Sequence, residues 1–241
     1  MAKESGLNVR LYVMGYDLSG DANALDGAGY SQETMETTAL ASAAASRITG
    51  LADGSLSVNG YFDNATGKIH PTFTSNSGKI PTADQVVLVA LGSAVGDASV
   101  GISAKEADYN VSRSSGSAIS VTSTFSGNGM GGEFGVMLTA HDDTHSSATS
   151  GTSVDNSASS SSGGSGYLQA ISLGSGSVIV KLQESTNNSS WTDFMTFSTV
   201  GTSDVSTAER NTMSGTVARY IRVQSTGTFT NAKIAVGFSR F

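Results

Sequence analysis

The sequence predicts a mainly β protein: an antiparallel β-sandwich or barrel domain with one short helix, followed by a small β-sandwich of jelly-roll or Ig-like type. Three observations carry this. Glycine numbers 29 while only 14% of residues are charged, so Gly, Ser and Thr replace the residues that favour exposed helices. Apolar residues alternate with polar or small ones over short segments. Beyond residue 166, such segments recur at regular spacing between turn signals.

The first expected strand is Asn8–Val13, with Val9, Leu11 and Val13 on one face. The polar, glycine-bearing stretch Asp17–Tyr30 reads as loop. "ETTALASAAASRI", Glu36–Ile48, is the one expected helix, with Thr37 or Thr38 as N-cap, Gly50 just beyond its end, and Leu40, Ala43, Ala44 and Ile48 on one face. In "GLADGSLSVNGYFD", Gly50–Asp63, Asp53-Gly54 supplies a turn and Leu56, Val58 and Phe62 alternate. Asp84–Ser93 is apolar enough for a strand buried on both faces. Ala118–Ser126 places Ile119, Val121 and Phe125 together, and Gly132–His141 does so with Phe134, Val136 and Leu138.

The second piece reads as strands at Tyr167–Leu173, Ser177–Glu184, Trp191–Ser198, Ala218–Gln224 and Ala232–Phe238, with turns at Gly174/Gly176, Asn187-Asn188, Gly201 and Gly227. Between the pieces lies "DNSASSSSGGSGYLQA". The expected organisation is residues 1–155 as one domain, 156–166 as a Ser/Gly linker and 167–241 as a second domain. Ser157–Gly166 would span about 17 Å as a coil.

Charge divides the chain the same way. Residues 1–166 hold 16 Asp/Glu against 7 Lys/Arg, a net of −9; residues 167–241 hold 4 against 6, a net of +2. An acidic first piece argues against binding DNA through its phosphates, which needs Lys and Arg. The absence of cysteine excludes disulfides, thiolate metal sites and thiol nucleophiles. "MAKESGLNVR" has no apolar run after its charges, so synthesis in the cytoplasm without a signal peptide is expected, and no apolar stretch is long enough to span a membrane.

Several patterns resemble chemical sites and lack the context they need. "GNGMGG", Gly127–Gly132, fits G-x-G-x-x-G, yet an alternating strand follows where a helix should open, so it reads as a hairpin turn. "AHDDTH" gathers His141, Asp142, Asp143 and His145 in a polar loop with nothing to hold metal ligands rigidly. Serines are abundant enough for a Ser–His–Asp arrangement, but no G-x-S-x-G elbow is present. Trp191, the single tryptophan, reads as core, with a sugar platform as its functional alternative. No catalytic, cofactor-binding or metal-binding residue, and no cofactor, is assigned.

Two stretches carry a resemblance. Leu11–Asp63, with "DLSGD", "METTAL" and "GLADGSLSVNGYFD", resembles the start of tail tube (major tail) proteins of long-tailed bacteriophages. "VIVKLQESTNNSSWTDFMTFS", "VARYIRVQSTG" and "AKIAVGFSR" are similar to small jelly-roll domains appended to phage tail and virion proteins. The resemblance implies a virion protein, a tail tube subunit that assembles into hexameric rings stacked around a DNA conduit. It implies tape measure, terminator and distal tail proteins as partners, and DNA passing without specific binding. The second domain would project outward, with a host-surface glycan as its candidate ligand. Asp53, Asp63, Asp84 and Glu133 are candidates to face the channel, and Ser19–Tyr30 and Asn64–Lys79 to make inter-ring contacts. The alternatives are a capsid decoration (cement) protein and a carbohydrate-binding virion adhesion module that uses Trp191.

Overall fold

The computed structural model describes residues 6–241. The expectation about the start of the chain falls partly on residues 1–5, outside the described residues. In chain order the first elements are β1 (Arg10–Val13), β2 (Tyr16–Asp17), β3 (Ala22–Glu36), β4 (Arg47–Tyr61), α1 (Ile69–Phe73), β5 (Gln85–Ala90), β6 (Ala98–Ser112), β7 (Ser120–Gly127) and β8 (Glu133–Met137). Three short strands follow: β9 (Thr144–His145), β10 (Thr149–Ser150) and β11 (Val154–Asp155). The remainder comprises β12 (Gly164–Ser172), β13 (Ser175–Ser185), β14 (Thr192–Thr196), β15 (Val200–Gly201), β16 (Thr207–Met213), β17 (Tyr220–Thr230) and β18 (Ala232–Arg240). The mainly antiparallel β class is as expected.

One sheet runs through both pieces of the chain in the order β16-β12-β18-β8-β6-β5-β1-β2, with β7, β4 and β3 extending from β6. A second sheet, β10-β17-β13-β14 with β11 and β15, lies across one end. Three apolar cores result. The first holds Leu11, Val13, Val87, Val89, Val100, Ile102, Leu56, Val58 and Phe125, closed by Ile69 and Phe73 of α1. The last lies between the sheets, where Leu168, Ile234, Val236 and Phe238 meet Val180, Leu182, Ile221 and Val223. Between them Tyr12, Leu88, Ala90, Met137, Tyr167 and Ala235 form a middle core. Strand β5 shows the logic: Val87 and Val89 enter one core and Val86 and Leu88 another, so its unbroken apolar run is buried on both faces as the sequence predicts.

The Ser/Gly stretch is not a free tether. Gly164, Ser165 and Gly166 are buried residues of β12, paired with Arg240, Ser239 and Phe238 on one side and Met213, Thr212 and Asn211 on the other. Their small size is a packing requirement. A Cβ on Gly164 would lie 2.5 Å from the Phe238 ring, and one on Gly166 would lie 2.7 Å from Met195 Sδ and 2.9 Å from Leu182 Cδ1. Upstream, Ser160 bridges Val217. Arg240 donates to the carbonyls of Val217 (2.9 Å) and Ala218 (2.7 Å) and to Ser160 Oγ (3.3 Å), which fastens the segment to the body.

Side chains close the seam where the long sheet curls. Gln169 is fully buried; its Oε1 accepts from Gly15 N at 2.6 Å, and its Nε2 donates to Val86 O at 2.9 Å. One amide thus gives Gly15 N its acceptor and adds a second donor to Val86 O, which also accepts from Met14 N at 3.1 Å, tying β12 to the β1–β2 and β5 region. Nearby, Arg210 Nη2 donates to Glu133 Oε1 at 2.6 Å and to Ser165 Oγ at 2.9 Å, and the Tyr167 hydroxyl donates to Glu133. Burial, then the Glu133 charge, pushes the Tyr167 phenol far above its ordinary range, so it stays a donor. Tyr167 also lies flat against Gly101, where a Cβ would come within 2.4 Å of its ring.

Other expectations are corrected. The alanine-rich Glu36–Ile48 is not helical. Glu36 pairs with Arg47, Thr37 N donates to Ser46 O at 2.8 Å, and the alanines form an exposed hairpin tip. No apolar surface faces this segment, and an isolated short helix is marginal in water. The helix is instead α1, inside the expected loop Asn64–Lys79. Buried Asp21 accepts from its first amide, Ile69 N, at 3.2 Å. Asp17–Tyr30 is largely strand β3, and Asp53-Gly54 lies within β4, opposite Ser31 and Tyr30. Ile119 and Phe134 are exposed and do not join the faces expected of them. Gly227 lies inside β17 at φ 110°, and the turn into β18 is made by Asn231 at φ 49°.

Substituting Gln169→Leu orphans the Gly15 N–H, while the Val86 carbonyl keeps the hydrogen bond from Met14 N at 3.1 Å. At roughly 1–3 kcal/mol per unsatisfied group, the expected loss of unfolding free energy is about 1–3 kcal/mol. Calorimetry of the wild-type chain is expected to show both pieces melting in one transition. Two separate transitions would contradict a seam that couples the cores.

Candidate assembly interface

The feature that stands apart from the packed body is the β3–β4 hairpin. Only residues 55–61 of β4 find a second neighbour, in β7. Outward of Ser55, the two strands pair with each other alone through Glu36 and Arg47. Along this arm nearly every residue is exposed on both faces, including Tyr30, Met35, Leu40, Ile48 and Leu51. A lone two-stranded ribbon is marginally stable at best in water, and its free backbone edges are templates for another chain. Its charge is one-sided: Glu33, Glu36 and Asp53 stand against Arg47 alone.

The arm leaves the body at a crossing made of glycines, and the "GNGMGG" stretch is its other half. Strands β7 and β8 both pair with β6, Gly127 opposite Ala104 and Glu133 opposite Gly101, so residues 128–132 loop out between them along one line. The stretch is therefore a loop-out between two strands in line, not the turn of a hairpin. Gly132 N donates to Gly29 O at 3.2 Å. A Cβ on Gly132 would lie 2.3 Å from Gly29 O, and one on Gly54 would lie 2.6 Å from Gly132 N. The backbones cross at a distance that only glycine allows. Beside the crossing, Tyr30, Phe134 and Phe241 expose their rings around a shallow recess that Arg240 also lines.

The charged groups singled out from the sequence divide. Asp53 is exposed on the arm. Asp63 accepts from Ala65 N at 2.8 Å in the loop before α1. Asp84 is engaged by Lys105 at 2.6 Å and by Asn128, hydrogen bonds that hold its carboxyl below the usual range. Glu133 is committed to Arg210 and Tyr167 inside the molecule. Of the four, Asp53 alone combines free exposure with a place on the arm.

The "AHDDTH" residues are held apart. Asp142 pairs with Lys233 at 2.5 Å and with Arg10 at 3.1 Å, and the Lys233 hydrogen bond leads in lowering its pKa. His145 is buried, with Nδ1 2.8 Å from Ser225 Oγ and Nε2 3.4 Å from Asp143. Burial lowers the His141 pKa. Ser225 is also buried and bonded to Thr149 N, so this Ser–His–Asp contact works as a strut between β9, β10 and β17. Among the described residues no group of three or more His, Asp or Glu side chains could hold a metal ion. Trp191 is half-buried outside the core, with the Arg222 guanidinium 4.1 Å from its ring centroid. Among the described residues no helix is long and apolar enough to cross a membrane.

No family model and no curated protein matches the chain. Solved structures give partial likenesses. The virion of a native gene transfer agent particle has a chain 16% identical, matched over 53% of this chain and 95% of that one, with a TM-score of 0.40. A chain from the sheath–tube complex of an extracellular contractile injection system, in its extended state, is 11% identical over 56% and 92%, with a TM-score of 0.44. The SPP1 Dit protein, from a hub adsorption apparatus in phages infecting Gram-positive hosts, is 11% identical over 97% and 99%, with a TM-score of 0.38. These are likenesses of outline; the functional argument rests on the arm itself.

A Gly132→Val substitution is expected to push the arm off its seat, lower the melting temperature and change the chain's association. At the cost of overpacking, about 1–3 kcal/mol of stability is lost. Unchanged melting and association would show that the crossing is not tight.

Proposed function

We propose that this chain is a structural subunit of a phage-type tail, a tube protein whose copies join into rings stacked around a passage for DNA. The observation that carries this reading is the β3–β4 arm, a ribbon with open edges, exposed apolar residues and no support from its own chain. Such an arm gains stability when another copy covers it. Contact between different surfaces of identical copies, repeated about an axis, produces rings, and translation along the axis produces a tube. Hexameric rings are the number that the sequence resemblance implies.

The charge pattern supports the same reading. Three carboxylates and one arginine on the arm make a surface that a polyanion slides past without adhering. The sandwich built from β12–β18 and β10–β11 lies at the other end of the cores, where it would project from a tube wall. Tape measure, terminator and distal tail proteins are the partners that a tube subunit would meet. The competing readings are a capsid cement protein and a glycan-binding adhesion module centred on Trp191.

Replacing Glu33–Leu51 by a two-residue Asn-Gly turn removes the outer arm, keeps Gln32 opposite Ala52 and leaves every core strand in place. The shortened chain is expected to stay folded, with melting within a few degrees of wild type, and to lose ring and tube formation in electron micrographs and sedimentation. Tubes that persist in the shortened chain would show that the arm is not what joins the copies, and wild-type protein that forms neither rings nor tubes would contradict the tube reading. Wild-type protein that binds only capsids, or binds a glycan array in a manner lost in Trp191→Ala, would favour the respective rival.

A further inference from the structure

Glu106 has no role in the surfaces described so far. It follows Ile102 and Ala104 on the inward face of β6, lies opposite Phe125 of β7, and is 4% exposed. One carboxyl oxygen accepts from Ser123 Oγ at 3.0 Å; the other, Oε2, is buried without a hydrogen-bond partner. Phe73 of α1 covers this part of the core, packing edge-on against Phe125 at 5.4 Å and Tyr109 at 5.9 Å between centroids. A carboxylate placed there would be a buried charge with one hydrogen bond and no counter-ion, which costs far more than a neutral acid.

Among the described residues, the surrounding groups supply no compensating cation. On β6, Lys105 is engaged by Asp84, while Asp108 adds a like charge and Tyr109 bonds to His70 of α1 at 3.0 Å. Lys68, just before α1, is paired with Asp21. Arg10 of β1 is paired with Asp17 and Asp142. Strands β5 and β7 carry no titratable side chain, and Tyr61 ends β4 on the surface. The β6–β7 ladder already slips between Glu106 and Asp108, so the pairing is weakest beside the acid.

We propose that Glu106 is a proton-held latch, carried as a neutral acid beneath α1, whose ionisation loosens the α1 cover and the outer part of the β6–β7 ladder. Burial, with Asp108 acting the same way against the Ser123 hydrogen bond, pushes its pKa up to about 8. The sign follows from linkage. Unfolded, the group ionises in the usual carboxylate range, whereas folded it keeps its proton to a much higher pH. The folded chain therefore loses stability progressively as pH rises from that range through about 8.

The test compares full-length wild type with E106Q, which keeps the shape and cannot ionise. The infrared spectrum of wild type at about pH 6 should contain the carbonyl band of a protonated carboxyl, absent in E106Q and lost from wild type near pH 9. The wild-type melting temperature should fall between those pH values far more than that of E106Q. At the higher pH, trypsin should cut wild type beside α1, after Lys68 and Lys79, faster than it cuts E106Q, with equal rates at the lower pH. Equal melting slopes and equal cleavage at both pH values would overturn the latch. Should E106Q fail to fold, the absence of a protonated carboxyl band from wild type at about pH 6 would overturn it alone.

Discussion

An antiparallel ribbon of two strands has half of its backbone groups facing outward, and in water that arrangement gains little over an open chain. The β3–β4 arm lives under this constraint. Inside the body, strands share their edges, apolar side chains fill three cores, and one buried glutamine closes the curl of the long sheet. Outward of Ser55 none of this is available: the ribbon holds itself by its own ladder and presents tyrosine, methionine, leucine and isoleucine to solvent. The arm, Gly29–Ser55, is an open-edged ribbon of the kind that templates another chain.

The contrast with the rest of the molecule sharpens the point. The sandwich at the far end is fastened by β12 and β18, whose residues alternate between the last core and the middle one. Gln169, the Arg210–Glu133–Tyr167 cluster and the Arg10–Asp142–Lys233 pairs all bind residues distant in sequence. In the proposed tube subunit, rigidity in the body and exposure in the arm are complementary: the body would set geometry, and the arm would carry it to the next copy.

Legibility from sequence followed burial. Strands β5 and β18 are plain because both of their faces are buried, and β13 and β17 because one face is. Strand β3 was hidden because nearly all of it is exposed, which removes the alternation by which strands are recognised, and an alanine-rich tip then imitates a helix. The Ser/Gly run misled for the opposite reason. Small residues at 164–166 signal flexibility in composition, yet they are small because Phe238, Leu182 and Met195 press against their α-carbons. Similarly, the glycines at 127–132 belong to neither a nucleotide loop nor a hairpin; their partner glycines, 29 and 54, lie far away in sequence. Of the arm as a site, the sequence shows only the acidity of the first 166 residues and Asp53 as a candidate, without the geometry.

The central claim is that the arm is completed by another copy, and amide hydrogen exchange reads that directly. In dilute, unassembled protein, the backbone amides of Gln32–Glu36 and Arg47–Ala52 should exchange within the dead time of the measurement, while those of β5 and β12 stay protected. In assembled protein, the arm amides should become as slow as those of the body. Arm amides that are already slow in the lone chain, or that remain fast in the assembly, would contradict the account.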